Sequence, residues 1–287
     1  MSSSNNLDKI KKLRKLTGAG FKDCNIAINE CGGDINKSID YLRIKGISKA
    51  RKKMDRVAND GLVCVYEENN KISILEINCE TDFVAKNLEF LNFSENVSKL
   101  CFKQKGDLNS LKKSKMKDGN SVEDNLVKLV SKIGEKIIIR RSNFFDHNNC
   151  INFSYVHTSV RKNIGKLGAV VSIEPRKFNE YVKDFGHKLA MHIAASNPLA
   201  IELNQLDKNI LDKEKKIIGE ELRNSAKEPN IVEKISKSKL EKFIEENTLI
   251  NQIWIMDLKK KVKDVIAGLG KENSLIIKDF VRYKVGE

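Results

Sequence analysis

The run KISILEINCETDFVAKN, residues 71–87, decides how the chain is read. From Lys71 to Cys79 apolar and polar residues alternate, the period of a half-buried strand. The strand then ends in Thr81-Asp82-Phe83-Val84. Thr81 is placed to cap a following turn of helix, with Asp82 in the favourable first turn. Phe83 by residue type belongs in a core. By position, at a strand-to-helix corner beside an acid, it reads as an exposed interface anchor.

Upstream, Leu62-Val63-Cys64-Val65-Tyr66 pairs with this strand across the turn Glu67-Glu68-Asn69-Asn70. Downstream, Leu88, Leu91, Val97 and Leu100 recur at helical spacing. The same succession returns later. Phe153–His157, a loop, and KLGAVVSIE (166–174) form a second hairpin, and DFGHKLAMHIAAS (184–196) a second amphipathic helix. Strand, turn, strand, helix twice over predicts two similar α+β units with antiparallel sheets. KIIIRR (136–141) adds a short strand and LIIKDFVRYKV the last one, while the lysine-rich 103–120 reads as a surface loop or insertion.

The first 50 residues carry a different pattern. Leu7, Ile10, Leu13 and Leu16, then Phe21, Cys24, Ala27, Ile28 and Cys31, mark two helices, with Gly18 and Gly32-Gly33 as stops. Asp34 caps a third. This predicts a small three-helix bundle. RIKGISKARKKMDR (43–56) reads as a solvated linker helix, or as an electrostatic attractor for an acidic partner. At the other end, LDKNILDKEKKIIGEELRNSA and IVEKISKSKLEKFIEEN, around Lys227-Glu228-Pro229-Asn230, predict a projecting, coiled-coil-like hairpin over about 206–247. The expected domains are 1–55 for the bundle and linker, 56–142 for one unit and 143–287 for the other.

Composition bounds the function. The 287 residues carry a net charge of +14, which raises the prior for nucleic acid. Yet 43 of the 53 basic residues are Lys, spread along the whole chain, which points to solubility. An RNA- or ribosome-binding role on this lysine surface is the alternative reading. No apolar run approaches a membrane span, and the N-terminus lacks the features of a signal or transit peptide, so a cytoplasmic location is expected. The six cysteines show no C-x-x-C spacing, which argues against zinc or a redox pair. Cys24 and Cys79 read as small buried hydrophobes.

Catalysis finds little support. His187 and His192 do not share a helical face as H-E-x-x-H would. GLGKE (268–272) lacks the first Gly and the last Ser/Thr of a phosphate loop, and TGAG (17–20) follows no strand. No G-x-S-x-G and no carboxylate cluster of metal spacing occurs. No metal, cofactor or covalent catalysis is expected.

EINCETDFVAKN (76–87) closely resembles the signature of the elongation factor Ts family. Four further segments resemble family segments in the correct order. They are KKLRKLTGAGFKDCNIAINECGGDINKSIDYLRIKG (11–46), VSKIGEKIIIRR (130–141), SYVHTSVRKNIGKLGAVV (154–171) and HKLAMHIAASNPLAI (187–201). The resemblance implies a ubiquitin-associated-type N-terminal bundle. It implies a guanine-nucleotide exchange factor that acts on elongation factor Tu by disturbing its Mg²⁺ and phosphate site, with no nucleic-acid requirement. Thr81, Asp82, Phe83 and Val84 would make that contact. Arg14, Phe21, Lys22, Lys53, Ile133, His157, Ile255 and Met256 would be further partner contacts; for His157 an ordinary strand histidine remains the other reading. The chain departs from the family pattern at Asn25, where a basic residue is usual, and at Ile253-Trp254, where Pro-Phe is usual. The extra C-terminal helical module of some members has no counterpart after RYKVGE. A homodimer through the projecting hairpin is left open.

Overall fold

The computed structural model describes residues 2–17, 19–51, 53, 55–223 and 229–287. The expected stop at Gly18 and the hairpin turn at Lys227-Glu228 lie outside these residues.

Three helices open the chain: α1 (Ser2–Thr17), α2 (Phe21–Glu30) and α3 (Ile35–Arg51). Their small core is Ile10, Leu13, Cys24, Ala27 and Ile28. α2 ends as its glycines predict, with the Gly33 N–H donating to the Ile28 carbonyl at 2.8 Å. Asp34 caps α3 by accepting from the Lys37 N–H at 3.0 Å. The basic stretch from residue 43 to Arg51 is helical, the second half of α3, with Arg43 and Ile44 exposed. α3 packs on α7 (Val122–Ile133). Gly46 is buried in this contact, where a Cβ would lie at ordinary contact distance, 3.4 Å, from Ser131 Oγ. Arg43 adds an ion pair to Asp124 at 2.8 Å.

β1 (Asp60–Glu68) and β2 (Lys71–Cys79) form the expected hairpin. Asn69 and Asn70 both take positive φ, as the two-residue turn requires. A one-turn α4 (Asp82–Ala85), α5 (Leu88–Lys103), α6 (Leu108–Lys113) and α7 follow, then β3 (Ile137–Phe145) beside β2. The 103–120 stretch is therefore more than a loop. Leu111 of α6 is fully buried and Met116 packs on the same core, so two apolar anchors outweigh the surrounding lysines.

The second unit holds β4 (Ile151–His157), β5 (Ile164–Gly165), β6 (Leu167–Pro175) and α8 (Glu180–Ser196). After it come α9 (Lys208–Arg223), α10 (Pro229–Asn247), α11 (Val262–Gly268) and β7 (Leu275–Lys284). α9 and α10 pack on each other. Pro229 and Asn230 open α10 instead of making a turn, in keeping with proline at a helix start.

The sheet orders are β3-β2-β1-β5 and β4-β6-β7. In each unit a hairpin is followed by a helix, and a later strand joins the hairpin's second strand. A bulge lies opposite the step after the sixth residue of that second strand in both, with Arg140 of β3 the extra residue opposite Glu76–Ile77 and Lys278 of β7 opposite Ser172–Ile173. The shared irregularity supports a duplicated unit more strongly than the side chains do. Two short features were not legible as strand. β5 leaves the second unit to pair with β1 in the first sheet, and β3 runs on to Phe145.

β2 is buried on both faces, so its polar residues Ser73, Glu76 and Asn78 are buried along with its apolar ones. Leu75, Ile77 and Cys79 face α5 and α7, whereas Ile72 and Ile74 face the other sheet through Val170 and Tyr283. The layers thus run helices, sheet, sheet, helix, with α8 covering the outer face of the second sheet. The chain has the α+β fold expected, with a helical bundle at its head.

Candidate functional site

β2 delivers the chain to a corner built by cross-bracing. Cys79 is fully buried, and burial pushes its thiol up to about 12, so it stays protonated. Its Sγ donates to the Thr81 carbonyl at 3.1 Å. Thr81 stands at the head of α4, but its side chain does not cap the helix. Instead its hydroxyl donates to Glu135 Oε1 at 2.7 Å and its N–H to Oε2 at 3.1 Å. Glu80 accepts from the Lys136 N–H at 2.6 Å and from Arg56 at 3.3 Å. Lys53 donates to the Gly134 carbonyl at the end of α7. Three segments, 53–56, 79–83 and 133–136, are stitched together. Nothing local in the sequence marks Glu80 and Glu135 as braces, because Lys136 and Thr81, which they hold, lie 56 and 54 residues away.

On this frame Phe83 is 81% exposed, the most exposed large apolar side chain among the described residues. Its neighbour Val84 points the other way, 6% exposed in the core with Ala85. Val84 therefore anchors the corner and Phe83 projects from it. Asp82 is exposed and pairs with Lys86 at 2.8 Å. That hydrogen bond holds its carboxyl below the usual range, so it is anionic at neutral pH. Val57 and Leu88, on the adjoining segments, are also exposed apolar side chains.

The remaining candidates fall in three places. Ile133 ends α7, partly buried on the core beside the brace at Gly134. His157 is exposed at the end of β4, with the Tyr155 hydroxyl 2.9 Å from its Nδ1. Its carbonyl accepts from the Lys166 N–H at 3.2 Å, and the Lys166 side chain pairs with Asp60 at the start of β1. Arg14, Phe21 and Lys22 are exposed on either side of the α1–α2 connection. Ile255 and Met256 lie on a distant loop. There Trp254, buried, stacks on Phe185 and on His192 at centroid distances of 5.6 and 5.1 Å. Ile255 is partly buried and Met256 exposed. The tryptophan that departs from the family pattern is thus a core residue.

These features define an α+β protein with a cross-braced corner tipped by an exposed aromatic ring. The family model "Elongation factor TS" matches residues 80–287, beginning at the corner itself. Proteins named elongation factor Ts are similar over 97% of this chain. The one from Zymomonas mobilis is 36% identical with 91% of its own length covered, and that from Erythrobacter litoralis 37% with 91%. The one from Clostridium kluyveri is 38% identical with 92% covered. The chain belongs to the elongation factor Ts family, and its place is among the translation elongation factors. No helix among the described residues is long and apolar enough to cross a membrane.

Proposed function

We propose that the protein binds elongation factor Tu in its GDP form and speeds GDP release and GTP rebinding. The observation that carries this reading is Phe83, exposed on a corner whose backbone is pinned by Glu80, Glu135 and the buried Val84. A rigid wedge delivers its binding energy without first being ordered. Burying the phenyl ring supplies roughly 1.5–3 kcal/mol. Mg²⁺ in a GTPase demands near-ideal octahedral geometry, so a small displacement of its surroundings weakens its hold on the phosphates. Asp82 sits beside the ring as a fixed negative charge. Coupling is reciprocal, so GDP must weaken factor binding by the factor with which the factor weakens GDP. The protein performs no covalent step, and nucleic acid is not needed for exchange.

In this reading Arg14, Phe21 and Lys22 form a second contact through residues 1–55. Ile133 and His157 widen the first, and Ile255 and Met256 form a third. Lys53 serves the corner indirectly, through Gly134. The exchange unit spans 56–142 and its support 143–287.

Stopped-flow release of a fluorescent GDP analogue from elongation factor Tu tests the reading. Wild type accelerates release strongly, and folded Phe83→Ala loses at least tenfold of that acceleration. No acceleration by folded wild type with its cognate partner would sink the proposal. Acceleration untouched by Phe83→Ala would move the wedge elsewhere.

A further inference from the structure

The exchange reading makes no use of the lysine-rich stretch after α5. Lys103, Lys105, Lys112, Lys113, Lys115 and Lys117 fall within fifteen residues. None of them closes an ion pair or donates a side-chain hydrogen bond among the described residues. The two acids nearby are already occupied. Asp107 caps α6, accepting from the Ser110 N–H at 2.7 Å. Asp118 accepts from Asn120 and Asn125 at 2.8 and 3.0 Å and faces Lys128. Those hydrogen bonds outweigh the effect of burial and hold its carboxyl at about 2. The hairpin helices α9 and α10 differ, since their lysines are interleaved with glutamates throughout.

The lysines are also held in place. Leu111 and Met116 bury inward, the Met116 N–H donates to the Asn120 carbonyl at 2.9 Å, and Lys115 bridges to Ser121. Around Met116 the chain alternates, so Lys115 and Lys117 both point out. They form one wall of a groove of about 530 Å³ whose other wall is Lys99, paired to Glu95 at 2.8 Å, and Lys103 of α5, which has no such partner among the described residues. Asp118 is the only acid that lines it, and no aromatic side chain does.

We infer that this groove binds the phosphodiester backbone of a single-stranded nucleic acid, which in a translation factor is RNA. The unpaired ammonium groups of Lys103 on one wall and of Lys115 and Lys117 on the other suit phosphates as point charges. The groove holds no guanidinium fork for a carboxylate, which disfavours an acidic polypeptide. Without an aromatic platform it stacks no base, so it reads charge and not sequence. α5 is about 24 Å long at 1.5 Å per residue. Phe83 lies before its first turn and the groove at its last, so both can be occupied at once.

The test uses the full chain and a fluorescein-labelled oligouridylate twelve-mer, followed by anisotropy between 50 and 200 mM salt, with an oligothymidylate of equal length beside it. Contacts to three or four phosphates give a slope of log K on log salt of about −2 to −3. The triple variant Lys103→Glu, Lys115→Glu, Lys117→Glu weakens binding at least tenfold and flattens the slope, while the three Lys→Arg changes preserve both. Circular dichroism and GDP release stay as in wild type for both variants. A hairpin control of equal charge, Lys213→Glu, Lys216→Glu, Lys234→Glu, leaves the affinity within twofold. Uridylate bound at least as well as thymidylate supports RNA; a clear preference for thymidylate overturns that assignment. Equal losses in groove and hairpin variants would reduce the effect to net charge and overturn the site. So would polyglutamate binding as tightly as RNA with the same sensitivity, or no saturable binding at 50 mM salt.

Discussion

Glu76 is fully buried between the two sheets, where its carboxylate accepts from Arg140 at 2.9 Å and Arg141 at 2.5 Å. Asn78 also donates to it, at 3.0 Å. Arg141 in turn lies over the Tyr283 ring, 4.3 Å from its centroid. One residue thus ties β2, β3 and β7 together. Removing the buried carboxylate leaves Arg140 and Arg141, each about one-third exposed, to be compensated in part by solvent. We expect Glu76→Gln to lower stability by about 1–3 kcal/mol in urea unfolding. Phe83→Ala, at an exposed position, should stay within about 0.5 kcal/mol of wild type in the same assay. The contrast separates a scaffold residue from a contact residue. At this scale Phe83 was legible only in part: residue type points to a core, strand-end position to an exposed tip, and the family resemblance decides between them. Glu76 was not: in an alternating strand it reads as a solvent-facing residue, and only the second sheet packed against that face makes it buried.

Among the elements, α8 shows how closely a helix can be held to a sheet. Gly186 sits in mid-helix, where alanine would ordinarily gain about 1 kcal/mol. A Cβ there would fall inside the Phe153 ring's van der Waals envelope. Gly186→Ala is therefore expected to destabilise by about 1–3 kcal/mol, the reverse of the propensity rule. Two turns on, His192 is fully buried with Nε2 at 3.0 Å from Gln252 Oε1, and its Nδ1 accepts from the Ile255 N–H at 3.4 Å. Burial lowers its pKa, so the unfolded chain takes the proton more readily than the folded one. This contribution to stability is complete above about 6.5, the ordinary histidine value, and is lost as the pH falls from there towards the folded-state value. Urea midpoints measured from pH 7.5 to 5 should fall across that window, and less steeply in His192→Gln. Element periods were the most legible part of the chain. The misreading was the lysine-rich α6 region, where charge masked two apolar anchors, Leu111 and Met116.

For the whole molecule, the bundle docks on the first unit through α3 and α7, with Gly46 against Ser131 and Arg43 paired to Asp124. Gly46→Leu cannot keep that approach. We expect it to undock the bundle, seen as faster proteolysis near residues 55–59 and a larger radius of gyration by X-ray scattering, with the sheets intact. The repeated strand–strand–helix order was readable from pattern alone. The face-to-face stacking of the sheets was not, since period tells which residues are buried and not what buries them. The short strand β5 belongs to this scale as well. Ile164 and Gly165 cover the Val63–Cys64 part of the open edge of β1, although they are encoded after β4 has begun the other sheet. During synthesis the first sheet therefore waits, one edge bare, from the making of Phe145 until Gly165 follows. At 5–20 residues per second that interval lasts about 1–4 s. For that time the nascent chain carries an unpaired strand edge, the feature that chaperones and neighbouring chains recognise.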